Sequence, residues 1–375
     1  MANNSHSSRG DRQDSGRAWG VVLAGAYDRG DGPVTPFLRR PLLPLAHTPL
    51  ICYPLQWLRD GGVTSATICA STATAELRHV LGAGAALGMR LGYYAEDHPR
   101  GPAGCVRDAG LASDGQTFVV VEGSMVPSLD LRAMLAAHRV SGAAVTTVVE
   151  IERRRGRAAS QLRVPGGVYV FERDVLDHIA PNGFQDIKQG LLERLHAERV
   201  RVHAHEVAGL SPRILDYASY TSASRWIIGS AEKRSQFLAE YVPVGEGLHH
   251  PTAFVSSSAR LIGPVLVGAG VRIDAQAVIV GPTSIGSGCH VGSMAVIARS
   301  VLLRDCSVGS GALLDSSLIA DGVEVEPLAE LFDTVQLESP PADARWRSPV
   351  RAPAAVRHAT SETPLVPRLV TQRAR

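Results

Sequence analysis

The sequence predicts an α/β domain with a mostly parallel sheet, followed by a triangular solenoid of short parallel strands. Three observations carry this. Apolar strand-like runs alternate with helical segments through the first two hundred residues. An aliphatic residue then recurs at every sixth position, at Val255, Leu261, Val267, Ile273, Ile279, Ile285, Val291, Ile297 and Leu303. The residue four places after each is small or short-branched, from Ala259, Val265, Val271 and Ala277 to Thr283, Cys289, Ala295 and Val301. A period of six is neither helical nor that of an ordinary strand; two inward positions per six residues, one large and one small, suit a three-sided coil whose flat faces are short strands. After Leu303 the phase slips by one residue and resumes at Val308, Leu314 and Ala320.

The elements follow in order. Residues 1–17 are polar and predicted to be disordered. Gly20-Val21-Val22-Leu23-Ala24-Gly25 is an apolar run closed by glycine, the pattern of a buried parallel strand entering a loop. Helices are predicted over 50–60, 74–81, 101–111 and 131–140, with strands at 64–70, 90–95, 118–121 and 143–150 between and after them. Strands at 167–171 and 200–207 flank a helix over 185–199. A mostly helical stretch, 216–237, leads into the repeat. The expected domains are 18–240 and 250–326, with a disordered tail rich in Arg, Pro and Ala from 339 to 375. In such a sheet, ligands lie at the carboxyl ends of the strands.

At 375 residues, 45% apolar and 20% charged, the chain is long enough for two packed domains. The formal net charge of +2 gives no reason to expect nucleic acid as a partner. The positive charge is almost all arginine, since Lys188 and Lys233 are the only lysines. Cys52, Cys69, Cys105, Cys289 and Cys306 include no CxxC pair and read as reduced core residues. No apolar run is long enough to cross a bilayer and no signal peptide is evident, so a cytoplasmic location is expected.

The six-residue period resembles the hexapeptide-repeat, left-handed parallel β-helix family. Upstream, Val22-Leu23-Ala24-Gly25, Arg40-Pro41-Leu42-Leu43-Pro44-Leu45 and Thr48-Pro49-Leu50-Ile51 resemble the opening of sugar-1-phosphate nucleotidyltransferases, in particular mannose-1-phosphate guanylyltransferases. Gly101-Pro102-Ala103-Gly104, Phe118 to Gly123, Leu129-Asp130-Leu131 and Gly166-Gly167-Val168-Tyr169-Val170-Phe171 extend the likeness over about residues 19 to 325. The resemblance implies a Rossmann-like, GT-A-like domain that joins a nucleoside triphosphate to a sugar 1-phosphate and releases pyrophosphate. Joining two polyanions needs a phosphate cradle, a carboxylate-held divalent metal and fixed positive charge.

Each part can be followed by position. The family loop, approximately L-A-G-G-x-G-T-R-L-x-P and ending in P-K-P, aligns without a gap between Gly25 and Pro41. Its second and third glycines are Ala26 and Asp28, its threonine is Arg29, and its arginine is Gly30. Pro33 and Pro41 remain, while Arg39 and Arg40 replace the first proline and the lysine of P-K-P. Fewer glycines restrict close backbone approach to phosphate, and Asp28 opposes a triphosphate. The first metal aspartate, in a G-D step, becomes Ser124 after Gly123; the second becomes Arg213 in Ser211-Pro212-Arg213-Ile214-Leu215-Asp216. A hydroxyl and a guanidinium are poor replacements for carboxylates around Mg²⁺. The second family lysine has no counterpart between Glu150 and Gly166, where Arg153, Arg154, Arg155 and Arg157 offer an anion site or a solvated loop.

The resulting expectation is a nucleotidyltransferase-like protein with a degenerate catalytic centre, a regulatory or assembly subunit that binds nucleotide or nucleotide sugar. Gly25, Arg29, Arg40, Gly101, Gly104 and Gly123 are the nucleotide-side candidates, and Glu150 and Gly167 the sugar-side ones. The family offers a precedent in a catalytically weak eukaryotic paralogue that regulates its active partner. Partners are a second copy through the β-helix or an active homologue, with neither nucleic acid nor membrane. A competing reading is an active, divergent enzyme with Mg²⁺ on Glu122, Asp130 or Asp216; another is a structural module without ligand. His290 is the one histidine in the repeat and points outward, a weak candidate for acyl transfer. His203 with His205, and His249 with His250, lack the companions of a metal site.

Overall fold

The computed structural model describes residues 18–25, 41–70, 74–95, 98–153, 161–230 and 238–337. The expected disordered ends and loop positions Ala26 to Arg40, including Asp28, Arg29, Gly30 and Arg39, lie outside the described residues. So do Arg154, Arg155 and Arg157. The chain divides into two compact units, Met1–Glu240 and Tyr241–Arg375.

In the first unit, β1 (Ala18–Leu23) is followed by a small hairpin, β2 (Pro44–Leu45) with β3 (Thr48–Pro49). The sheet proper adds β4 (Ser65–Ala70), β5 (Arg90–Ala95), β6 (Thr117–Glu122), β7 (Val145–Arg153), β8 (Gln161–Glu172) and β9 (Val202–Ala208). Its order is β5-β4-β1-β6-β8-β7-β9. Strands β5, β4, β1 and β6 are parallel, and β8 runs antiparallel to both β6 and β7. The sheet is therefore parallel-rich rather than uniformly parallel.

Helices at Thr74–Leu81, Gly101–Leu111 and Leu131–Ser141 arise where the alternation predicts them. The segment expected as one helix over 185–199 instead starts as a π-turn, Ile187–Leu191, and continues as the α-helix Leu192–Ala197. Ile187, Leu191 and Leu195, all buried, form one apolar stripe under either winding. Alternate strand residues feed two cores. Val22, Ile68, Val119, Val121, Val168 and Val170 pack with helices Cys52–Asp60 and Leu131–Ser141. Val21, Cys69, Phe118, Val120, Tyr169 and Phe171 pack with Gly101–Leu111 and the 187–195 stripe. A sheet covered on both faces needs near-continuous apolar strands, and β1 and β6 are of that kind.

One polar network crosses this core. His138, 2% exposed, places Nε2 2.8 Å from Glu172 Oε1 and Nδ1 2.8 Å from the hydroxyl of buried Thr146. An ionised carboxylate only accepts, so Nε2 carries the proton. The hydrogen bond from His138, assisted by the Thr117 hydroxyl, holds the Glu172 carboxyl below its ordinary value against the opposing effect of burial. A depressed carboxyl contributes stability above its unfolded pKa of about 4.3 and loses it as pH falls through the lower folded value. His138→Ala is expected to cost about 2–4 kcal/mol, from the cavity and the orphaned Thr146 hydroxyl. It should also flatten the fall in urea midpoint between pH 6 and pH 3.5. Parallel pH dependence in variant and wild type would remove His138 from the network.

The second unit opens with an antiparallel pair, Val242–Val244 with Gly247–His249. Beyond it, strands of two or three residues stack in three parallel sheets, each strand pairing with the third one along the chain. The result is a three-faced parallel β-helix, and its strands continue past residue 326 to Val335–Gln336. The predicted inward row Ile273, Ile279, Ile285, Val291 and Ile297 is fully buried.

The phase shift comes one corner earlier than the aliphatic row suggests. Val280 pairs with Ala298, eighteen residues on, but Ile285 pairs with Leu302, seventeen on, rather than with Leu303. Likewise Ile319, not Ala320, aligns with Leu302. The cause is a corner in which Arg299 alone stands where the previous coil has Gly281-Pro282. The shorter corner stacks Ser300 on Thr283 and begins a ladder of buried hydroxyls. The N–H of Ser300 donates to Thr283 Oγ1 (3.3 Å), that of Ser317 to Ser300 Oγ (3.0 Å), and that of Thr334 to Ser317 Oγ (3.3 Å). None of the four side chains is more than 1% exposed. Ser300→Ala leaves the Ser317 N–H without its acceptor and should cost about 1–3 kcal/mol in chemical denaturation; a change below about 0.5 kcal/mol would make the ladder incidental.

The five cysteines are buried and form no disulfide, as the sequence predicts. Among the described residues no helix is long and apolar enough to cross a membrane.

Candidate functional site

The carboxyl end of β6 brings together residues far apart in sequence. Glu122 ends the strand, and the N–H of Gly123 donates to Leu23 O of neighbouring β1 at 2.8 Å. The next residues pair with a segment almost ninety positions later. Met125 and Arg213 form an antiparallel bridge, Val126 N–H donates to Pro212 O, and Ile214 N–H donates to Ser124 O, both at 2.8 Å. Ser124 and Arg213, which the sequence resemblance aligns with two metal-binding aspartates, are therefore on neighbouring segments.

The Arg213 guanidinium lies between two carboxylates. Its Nε is 3.6 Å from Glu122 Oε2 and its Nη2 is 3.6 Å from Glu150 Oε2, while Nη2 donates to Pro165 O at 2.7 Å. Glu150, on β7, is 1% exposed, and its Oε1 accepts the Ser211 N–H at 2.9 Å. A carboxylate buried this deeply needs a compensating charge, which Arg213 supplies. At the other oxygen of Glu122, Lys188 Nζ lies 3.7 Å from Oε1. Lys188 stands on the π-turn, whose start is capped by Asp186 accepting the Gln189 N–H. Tyr169, buried beside this group, has its phenol pushed up by burial and by Glu122 against the opposing charge of Arg213, and stays neutral.

Gly167 shapes the floor. Its φ of +63° and its place in the register shift between β7 and β8 leave it facing Glu122, where an added Cβ would sit 2.7 Å from the carboxyl carbon. Glycine there serves both the backbone and the side-chain space.

The other candidates are used differently. Asp130 caps the helix Leu131–Ser141, accepting the Arg132 and Ala133 N–H groups, and Asp216 caps Tyr217–Ile228 in a capping box with Ser219. Neither joins Glu122. Gly101 (φ +73°) presses on the backbone of Gln185, and Gly104 lies in the same helix against Arg100. Gly25 follows β1 at the same edge of the sheet; Arg29, Arg40 and Gly30 fall outside the described residues. His290 is exposed and bonded to Asp274, and His249 and His250 make local bonds. Lys188 is the residue that sequence reasoning passed over. Its signal was rarity, one of two lysines in the chain, on a segment whose position opposite β6 no local pattern reveals.

These side chains do not fit a divalent metal. The available donors are the Ser124 hydroxyl and two carboxylates already engaged by cations, and Arg213 puts a fixed positive charge among them. Among the described residues, no three His, Cys, Asp or Glu side chains converge for metal binding.

Residues 19–159 match the Nucleotidyl transferase family, and residues 261–337 match the GMPPB C-terminal domain. The chain is 26% identical to a mannose-1-phosphate guanylyltransferase of Mycobacterium tuberculosis over 341 residues, covering 82% of this chain and 80% of that one. It is also 26% identical to a glucose-1-phosphate thymidylyltransferase of Streptomyces griseus, covering 83% and 94% of the two chains. A mannose-1-phosphate guanyltransferase of Schizosaccharomyces pombe is 26% identical, with 80% and 85% covered.

Proposed function

The chain belongs to the sugar-1-phosphate nucleotidyltransferase family, and on that premise we propose that it is a non-catalytic member, a regulatory or assembly subunit that binds nucleotide sugar. The observation that carries this reading is Arg213. Its guanidinium occupies the space between Glu122 and Glu150 beside Ser124, so the carboxylates that remain are answered by a cation of the chain itself. Phosphoryl chemistry between two polyanions relies on mobile divalent charge, and among the described residues this edge has no set of free carboxylates to hold it. The relatives' names divide among guanylyl, thymidylyl and uridylyl transfer, so the base is left open. The proposed partner is an active nucleotidyltransferase homologue or a second copy, with the β-helix as the assembly surface.

A pyrophosphate-release assay with the common nucleoside triphosphates, sugar 1-phosphates and Mg²⁺ tests the reading. No turnover above background is expected, and robust turnover overturns it. Thermal shift with GDP-mannose, UDP-glucose and dTDP-glucose should show stabilisation by at least one; silence with all three would leave a structural module. The divergent-enzyme reading loses two of its three metal ligands to helix capping, since Asp130 and Asp216 are so employed.

A further inference from the structure

We propose that Arg213 and Lys188 bind the diphosphate of the ligand directly, with no divalent cation; the inference rests on the nucleotide-sugar reading above and names how that ligand is held. The ground is a set of unspent donors. The ion pairs around Glu122 and Glu150 are 3.6 to 3.7 Å long, beyond hydrogen-bonding reach. The carboxylates thus locate the cations by charge while consuming none of the N–H groups concerned. Arg213 Nε is buried and has no hydrogen-bond partner among the described residues. A buried donor left without an acceptor costs stability and calls for an explanation such as a ligand oxygen. Lys188 Nζ likewise has no hydrogen bond among the described residues, and its side chain is 44% exposed, so it opens toward solvent.

The placement of the two cations suits a ligand with two linked anionic groups. Each addresses a different oxygen of Glu122, Lys188 at Oε1 and Arg213 at Oε2, so the two cations share one carboxylate. Glu122 and Glu150 balance Arg213 and Lys188 in formal charge, so the edge does not repel an anion as a bare acidic pair would. A guanidinium fork held by neighbouring groups is preorganised for phosphate oxygens, and a lysine adds a mobile point charge. Mg²⁺ would have to enter between two cations of the chain itself to reach carboxylates that are already compensated.

Calorimetric titration of the full chain with GDP-mannose, UDP-glucose, dTDP-glucose and inorganic pyrophosphate, each in EDTA and in Mg²⁺, tests this. For the nucleotide sugar that binds, the affinities with and without Mg²⁺ should agree within about twofold, and pyrophosphate should compete. Lys188→Gln, at an exposed position that should not disturb folding, is expected to weaken binding in EDTA by about fivefold to tenfold. Arg213→Lys, which keeps the charge and loses the fork, should weaken it by tenfold or more. Binding that tightens tenfold or more with Mg²⁺, or that ignores both substitutions, overturns the metal-free site. Loss of all three nucleotide sugars with pyrophosphate still bound would overturn the nucleotide-sugar reading and leave the anion site standing. Silence with all four overturns both.

Discussion

Arg213→Asp is expected to destabilise the first unit by about 3–5 kcal/mol in EDTA and to make its melting temperature respond to divalent metal. Removing the guanidinium strands Glu150, a carboxylate 1% exposed whose other oxygen is held by the Ser211 N–H. An uncompensated buried charge of this kind costs several kcal/mol. The substituted carboxylate would stand near Glu122 and Glu150 and convert a compensated cluster into three converging acids. Millimolar Mg²⁺ or Mn²⁺ should then recover part of the loss by binding the folded state, whereas the wild-type chain should melt at the same temperature with either metal or EDTA. Thermal melts of both proteins under both conditions decide the matter. A variant as stable as wild type in EDTA would show that Glu150 does not depend on Arg213.

Gly101→Val is expected to be comparably severe, with a loss above about 3 kcal/mol and a melting temperature lowered by several degrees. The φ of +73° is unfavourable for a β-branched residue. A Cβ at this position would also lie 2.5 Å from Gln185 O and 2.9 Å from Gln185 N, both backbone atoms with no freedom to swing away. Those atoms are already committed, Gln185 O to the Ala103 N–H and Gln185 N–H to Arg100 O. The strand-to-helix junction and the π-turn bearing Lys188 are clamped through the same contact. Gly101→Ala should show a reduced form of the same loss in chemical denaturation. An unaffected valine variant would mean that the 182–186 segment moves aside freely.

Most element positions could be read from the chain because each rests on a local signal. The helices Thr74–Leu81 and Gly101–Leu111 and the strand Arg90–Ala95 start and end where apolar spacing and glycine place them. Reading failed where two residues satisfy the same pattern. Leu302 and Leu303 are both aliphatic, and either continues the six-residue row; the choice is made by a corner one residue short at Arg299, which carries no apolar signal. The reversal of β8 was equally hidden, since a strand buried on both faces has the same composition in either direction.

At the site, Ser124 and Arg213 could be singled out only through family words, and their adjacency depends on a bridge between distant segments. Lys188 and the burial of Glu150 had no local signature at all. Ion pairing across a sheet edge is set by topology, and no sequence period encodes it. Gly101 shows the opposite case, a position legible as important whose demand comes from Gln185 as its packing neighbour.

The hydroxyl ladder also makes the length of the β-helix a discrete quantity. From Thr283 to Thr334 each step is seventeen residues and ends on a Ser or Thr whose backbone N–H donates to the hydroxyl of the coil before it. A segment such as 301–317 carries one whole step, so its removal or duplication preserves every rung. An indel that is not a whole number of coils would take these hydroxyls out of register with the N–H groups they serve. In this region the chain can grow or shrink only by the coil.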